Sequence, residues 1–416
     1  MTATPLRILI VSPSLPYPPT WGFGIRVFQF VRHLAARNYV RVLCYPREVD
    51  DGERKALAQI CDGVQVVTTP PVGSQHRRAS QLASLPSTTP FHAREHWSAA
   101  MQAAIDACLT EWHPDIIQVE SSPMCAFSYR SHAPVVLDEH NIESELLGRM
   151  GDAEGTLLRR AYRGIEAAKY RRFETRAWRR ASACLVTSAR EADVVRTRAS
   201  SVATHVVPNG VDCGMFRPTD EPDRSEKVVF VGLLTYRPNL DAALYLADEV
   251  MPVVWQRNPN VSLTIVGAGL PADLRRLDRP GVKTTGWVPD TREYLSSAGV
   301  AVVPVRMGGG TRLKVLEALA MGTPVVTTTV GSEGIDVEDG RHLLVADGAD
   351  AFAHSILRLL GDRDLAQRLS REGRQLVIER YSWTEILESV ENLYYELARA
   401  RASVSTPRAG KAAGAS

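Results

Sequence analysis

Residues 300–329 read VAVVPVRMGGGTRLKVLEALAMGTPVVTTT. The run 300–305 is apolar and Val-rich, the pattern from about Thr311 is helical, and PVVTTT (324–329) is strand-like again. Strand, glycine turn, helix and strand make one unit of a parallel sheet, and apolar runs without polar alternation mark strands covered on both faces. A glycine turn leading from a strand into a helix N-terminus also exposes backbone N–H groups with partial positive charge, which suits a phosphate. Glycines end strands for structural reasons as well, so the turn alone leaves both readings open.

The same unit recurs outward along the chain. KVVFVG (227–232), VSLTIVG (261–267) and VKTTGWV (282–288) precede it as strands. An earlier set comprises RILIVS (7–12), VRVLCY (40–45), VQVVTT (64–69), DIIQVE (115–120), PVVLDE (134–139) and ACLVTS (183–188), with helical stretches such as IRVFQFVRHLAAR (25–37) between them. The fold class is therefore α/β, two doubly wound parallel-sheet domains in tandem, and ligands are expected in a cleft beyond the carboxyl ends of the strands. The pattern restarts after VPNG, read as a hinge whose closure would exclude water. The expected boundaries are 1–205 and 206–381, a helix 382–402 packing back on the first domain, and a disordered tail, 403–416.

Composition agrees. The chain has 416 residues, which suits two domains of roughly 200, and its 44% hydrophobic and 23% charged content is ordinary for a globular protein. A formal charge of +2 gives no support for nucleic-acid binding. The six cysteines show no Cys-x-x-Cys spacing, so buried free thiols are expected rather than zinc or a disulfide framework. No signal-peptide pattern and no apolar run of membrane-spanning length is found, so a cytoplasmic location is expected.

Arg312 and Lys314 stand in the first turn of the helix, where each cation opposes the helix dipole by about 0.3–1 kcal/mol. Two cations there suggest an anion to neutralise; a diphosphate fits, because Arg engages two oxygens and Lys acts as a point charge. A solvated basic turn is the alternative. Glu317 lies on the face of Leu313, next to an apolar run, and its carboxylate suits the vicinal hydroxyls of a ribose or else a core ion pair.

GTRLKVLEALAMGTPVV (310–326) followed by GSEGI (331–335) resembles the nucleotide-sugar signature of glycosyltransferase family 4. PYPPTWGFGIRVFQFVRHLA (16–35), LDEHNIES (137–144), VVPNGVDCGMF (206–216), FVGLLTYRPNLDAALYL (230–246) and GWVPD (286–290) extend the resemblance over most of the chain. The branch with PPxxxGxxIR in front and GGGTRLKVLEA behind is often associated with exopolysaccharide or cell-envelope sugar assembly. The resemblance implies the two-domain GT-B fold and retaining transfer of a sugar from a nucleoside diphosphate sugar to a glycan, lipid-linked sugar or small-molecule acceptor.

It also implies roles. Glu317 matches the ribose-binding glutamate, whereas Gly309 stands where the family has a second glutamate, leaving the backbone of Gly309, Gly310 and Thr311 to hold the sugar. Leu233 and Pro238 stand where many members carry a diphosphate-binding Arg and Lys, so Arg312 and Lys314 are expected to supply that charge. His140 matches a histidine that hydrogen-bonds the donor sugar. Asp138 and Glu139 stand beside it in the sequence and are candidates to orient it. Gly22 and Gly24 are expected in a loop near the phosphate, and Gly286, Trp287 and Val288 at the nucleobase. Ser332 and Glu333 reach the sugar or close a turn. No Asp-x-Asp pair for a divalent metal is evident, so no metal and no cofactor is expected, with the cations in its place and the leaving phosphate helping to deprotonate the acceptor.

LLRRAYRGIEAAKYRRFETRAWRR (157–180) is arginine-rich, with Leu158, Tyr162 and Ile165 on one expected apolar stripe and Phe173 and Ala177 on another. Such a helix could contact an anionic membrane at the inner face of the plasma membrane, or pack its stripe in the core with arginines in water. A nucleotide-sugar epimerase of the same fold, or a catalytically weak nucleotide-sugar-binding protein, is the competing reading.

Overall fold

The computed structural model describes residues 4–46, 51–68, 81, 84, 86–152, 157–218, 226–307 and 312–405. The chain divides into two compact units, Met1–Val207 with Leu387–Ser416, and Pro208–Ile386.

In the first unit β1 (Arg7–Ser12) is buried from its second residue on. It lies parallel between β2 (Tyr39–Cys44) and β4 (Ile116–Glu120). With β3 (Gly63–Val66), β5 (Val135–Glu139), β6 (Ala183–Val186) and β7 (Ala203–Val206), the described residues form a seven-stranded parallel sheet ordered β3-β2-β1-β4-β5-β6-β7. Leu9, Val11, Ile117, Leu137 and Trp178 are in its core. The second unit carries β8 (Lys227–Val231), β9 (Ser262–Val266), β10 (Val282–Thr284), β11 (Val300–Val303), β12 (Val325–Thr327) and β13 (Leu344–Val345), a parallel sheet ordered β10-β9-β8-β11-β12-β13. Val229, Phe230, Ile265, Val302 and Leu316 belong to its core. Both units are doubly wound α/β sheets, and the strand order reverses between β1 and β4 and between β8 and β11.

Local chemistry explains where elements depart from the sequence reading. β11 stops at Val303 because Pro304 has no N–H for the ladder. β10 stops at Thr284, two residues before Gly286 takes φ +68°. β7, of sequence ATHV, and the two-residue β13 carry too little apolar pattern to stand out. The first helix spans Gly22–Ala35, so Gly22 and Gly24 lie in its opening turn rather than in a loop. A Cβ on Gly24 would come within 2.7 Å of the Trp21 ring, so this glycine makes room for its own neighbour.

The helix Leu157–Arg180 is present, but its buried face is not the first of the expected stripes. Ile165 is exposed, Tyr162 is half-buried and Leu158 lies outside the residues whose side chains are described, whereas of the second stripe Ala177 is buried and Phe173 half-buried; among the described residues the buried positions are Glu166, Tyr170, Glu174, Ala177 and Trp178. The two glutamates tolerate burial because each has donors. Glu166 accepts from Phe91 N at 2.7 Å and Lys169 Nζ at 2.9 Å, and Glu174 accepts from Ser144 Oγ at 2.6 Å. The six cysteines are all free. Among the described residues no helix is long and apolar enough to cross a membrane. The expected tail, 403–416, falls largely outside the described residues; the helix Trp383–Ser405 reaches its first three positions.

Candidate active site

In open parallel sheets ligands gather beyond the carboxyl ends of strands at the point where the order reverses. In the second unit that point lies past β8 and β11. Backbone hydrogen bonds carry the sheet beyond its strands there: Gly232 N donates to Val266 O at 2.9 Å, Leu234 N to Ala268 O at 2.7 Å, and Gly267 N to Gly286 O at 3.1 Å. Gly267 has φ +145°, and a Cβ on it would sit 2.1 Å from Gly232 O, so only glycine lets the two loops approach. In the loops that follow β8, β9 and β10, Leu233, Leu270 and Trp287 are exposed apolar side chains, the last 69% exposed.

The helix Leu313–Ala320 follows β11, with Arg312 at its N-cap position. Lys314 reaches from it to the end of β8. Its Nζ donates to Asn239 Oδ1 at 2.7 Å and stands 4.7 Å from the Phe230 ring centroid. A Cβ on Gly232 would come within 2.9 Å of Nζ. Burial, reinforced by the charge of Arg312, brings the Lys314 ammonium down to about 7. Glu317 lies one turn on; burial lifts its carboxyl to about 7, against the opposing pull of Lys314. It accepts no hydrogen bond from the described residues. Arg312 is buried, and that burial lowers its pKa while Tyr236 and Glu333 oppose the fall.

Gly309, Gly310 and Thr311 lie outside the described residues. Gly286, Trp287 and Val288 follow β10, with Val288 packed against the core. Ser332 closes a turn, its hydroxyl donating to Thr329 O at 3.0 Å, and Glu333 acts on Arg312 through its charge. The chain does contain one Asp-x-Asp pair, Asp362 and Asp364, and the structure uses it to start a helix: Asp362 Oδ1 accepts from Leu365 N at 3.0 Å. Asn239, next to Pro238, is a site residue that no sequence signal marks; its part is visible only in the bond it accepts from Lys314.

In the first unit the reversal point lies at the ends of β1 and β4. His140, just past β5, stacks on Phe23 at 4.4 Å between ring centroids. Its Nε2 is 2.8 Å from Glu120 Oε2 and 3.5 Å from Asp138 Oδ2. Asp138 takes a two-pronged bond from the fully buried Arg26, Nε to Oδ2 at 2.8 Å and Nη2 to Oδ1 at 2.6 Å. Burial works to raise the Asp138 carboxyl, but the charges of Arg26 and His140 carry it below the usual range. Glu120 is pushed up by burial and by Asp138. Glu139 points elsewhere, accepting from Trp178 Nε1 at 2.8 Å and Ser122 N at 3.1 Å; burial and Glu174 raise it well above the ordinary carboxyl value. The hydrogen bond to the histidine thus comes from Glu120, while Asp138 lies beside the same nitrogen with both oxygens engaged by Arg26, and Glu139 faces away. The signal for Glu120 was visible in DIIQVE, where Gln118 and Glu120 place two polar groups on one face of an otherwise apolar buried strand.

Glu120, Asp138 and His140 bring three possible metal-ligand atoms within 4.8 Å of one another. Arg26 engages both oxygens of Asp138, so the local positive charge is a guanidinium held by the fold. That donor set fits an ion pair better than a divalent cation.

The description Glycosyltransferase Family 4 matches residues 22–214, and Glycosyl transferases group 1 matches residues 225–362. The chain is similar to a glycogen synthase of Mycobacterium tuberculosis, 24% identical over 94% of this chain and 94% of that protein. Its fold is similar to that of a sucrose-phosphate synthase from Thermosynechococcus elongatus, with TM-score 0.69 and 21% identity over 95% of this chain and 100% of that one. It is similar also to Anabaena Alr3699/HepE in complex with UDP and glucose, with TM-score 0.66 and 16% identity over 94% and 100% of the two chains.

Proposed function

From the premise that the chain is a glycosyltransferase of the GT-B fold, carrying a Family 4 domain followed by a group 1 domain, we propose that it moves a sugar from a nucleoside diphosphate sugar to a hydroxyl acceptor with retention, in exopolysaccharide or cell-envelope assembly at the cytoplasmic face of the membrane. The observation that carries the donor reading is the Lys314 ammonium, held against Gly232 and Asn239 at the carboxyl end of β8. A lysine brought to about 7 by burial gains most from a diphosphate, which restores its charge without the cost of exposing it to water. With Arg312 at the same helix terminus it would stabilise the negative charge that develops on the leaving diphosphate. Glu317, without a donor among the described residues, is assigned the ribose hydroxyls. His140 is assigned the donor sugar. These cations stand in for a metal in the reading, so transfer is expected to survive EDTA.

The test is a thermal-shift screen against UDP, GDP, ADP and their sugars. A nucleotide at a hundred times its Kd is expected to stabilise by about 2.7 kcal/mol, and Lys314→Ala to remove that gain together with turnover. Unchanged donor affinity and turnover in Lys314→Ala would sink the reading. A sugar altered without an acceptor would favour an epimerase, and tight donor binding with no transfer a binding protein.

A further inference from the structure

Two neutral groups meet the Lys314 ammonium from the β8 side. The Phe230 ring centroid lies 4.7 Å from Nζ, and Asn239, on the helix Arg237–Tyr245, accepts from Nζ with its Oδ1 at 2.7 Å. The charges that act on Nζ, those of Arg312 and Glu317, both come from the other side, at the N-cap of its own helix and one turn along it. Asp241, two residues beyond Asn239, is engaged by Arg306, whose Nε and Nη2 donate to it at 3.1 and 2.9 Å. Among the described residues, then, the hydrogen-bond partner of Nζ is an amide and not a carboxylate.

The orientation of that amide is fixed from both ends. Asn239 Nδ2 donates to Leu233 O at 2.9 Å, a carbonyl that only accepts, while an ammonium only donates, so both neighbours require the same face of the amide. Asn239 thereby ties Nζ to the backbone of the loop after β8. Gly232 leaves room for the pair, since a Cβ there would come within 2.9 Å of Nζ and 3.1 Å of Asn239 Nδ2.

An amide and a carboxylate would both hold the ammonium, with different effects on its charge. A carboxylate at hydrogen-bond distance satisfies that charge and competes with an incoming anion. A second cation there would repel Nζ. An amide oxygen fixes the nitrogen in place and leaves its charge uncompensated.

We propose that Asn239 is a positioning residue for the diphosphate: its amide, anchored on Leu233 O, holds Lys314 Nζ in place without neutralising it, so that the charge is kept for the phosphate oxygens. This rests on the assignment of Lys314 to the diphosphate.

The experiment is calorimetric titration of the full chain with UDP, GDP and ADP in turn, at pH 7, 8 and 9 and in buffers of different ionisation heat. The wild type is compared with Asn239→Ala, Asn239→Asp and Lys314→Ala. The wild type should take up protons as the nucleotide binds, because burial leaves Lys314 largely uncharged above about 7 in the free protein. Asn239→Ala should weaken binding by about three- to tenfold, the loss of one positioning hydrogen bond, and keep the uptake. Asn239→Asp should weaken it by more than about tenfold and lose most of the uptake, its carboxylate having charged Lys314 beforehand. Both variants lack the donor to Leu233 O, so the difference between them reads the charge alone. A purely structural part would lower Tm in both and leave their affinity and proton uptake alike.

Wild-type affinity in Asn239→Ala, or equal affinity and uptake in Asn239→Ala and Asn239→Asp, would overturn the proposal. If Lys314→Ala loses the nucleotide in that case, the positioning role alone falls. If Lys314→Ala binds like the wild type, or the wild type binds none of the three nucleotides, the donor reading falls and this proposal with it.

Discussion

Lys314 and Glu317 hold pKa values of about 7 from opposite directions, and this makes the site sensitive to pH in a definite sense. Between about 7 and the ordinary 10.5 the free protein holds Lys314 largely uncharged, and a bound diphosphate calls the proton back. UDP affinity is expected to fall from pH 7 to 9 by up to about tenfold per pH unit. Calorimetry in buffers of different ionisation heat should register the accompanying proton uptake, and Lys314→Met should lose that uptake. Stability follows the same linkage. The unfolded chain keeps the Lys314 proton throughout that window, so the penalty of burying the charge is fullest below pH 7 and shrinks toward 10.5. For Glu317 the penalty is fullest above pH 7 and shrinks toward 4.5. Lys314→Met is therefore expected to raise Tm near neutrality, by about 2–4 °C for each kcal/mol relieved.

The loop after β9 and the arginine-rich helix make their own claims. Gly267→Ala forces a Cβ to within 2.1 Å of Gly232 O at a φ that L residues rarely adopt. We expect a loss of roughly 1–3 kcal/mol, read as a lower denaturation midpoint, and weakened UDP binding as the loops after β8 and β9 part. On the helix Leu157–Arg180, Arg171, Arg172 and Arg176 are exposed and form no ion pair among the described residues. They line a groove of about 970 Å³ with Arg179 and Arg198. Flotation with vesicles containing anionic lipid is expected to carry the protein, with the triple change to Gln abolishing it; flotation indifferent to lipid charge would remove membrane contact from the proposed function. The helix itself was legible in the sequence. Its buried face was not, because Glu166 and Glu174 look solvent-bound until their donors, Phe91 N, Lys169 and Ser144, are brought in from other elements.

At the scale of the whole chain the α/β class could be read because strands covered on both faces are continuous apolar runs, unmistakable in RILIVS and VAVVPV. β7 and β13 escaped for the converse reason, being short or half-polar. In the site, the residues legible beforehand were those whose chemistry is odd where they stand, such as two cations at a helix N-terminus. Those that needed the fold were the supporting partners: Asn239, Arg26 and Tyr394, ordinary in sequence and meaningful through what they touch. The last of these has a temporal consequence. The first unit borrows its final helix from the far end of the chain, Glu391 bonding Asn38 across 353 residues and Tyr394 bonding Gln118 across 276. Domains otherwise fold in order as they leave the ribosome. Here the first to emerge must wait, its polar centre open, until the second has been synthesised, so the enzyme cannot hold His140 in its finished setting before translation is nearly over.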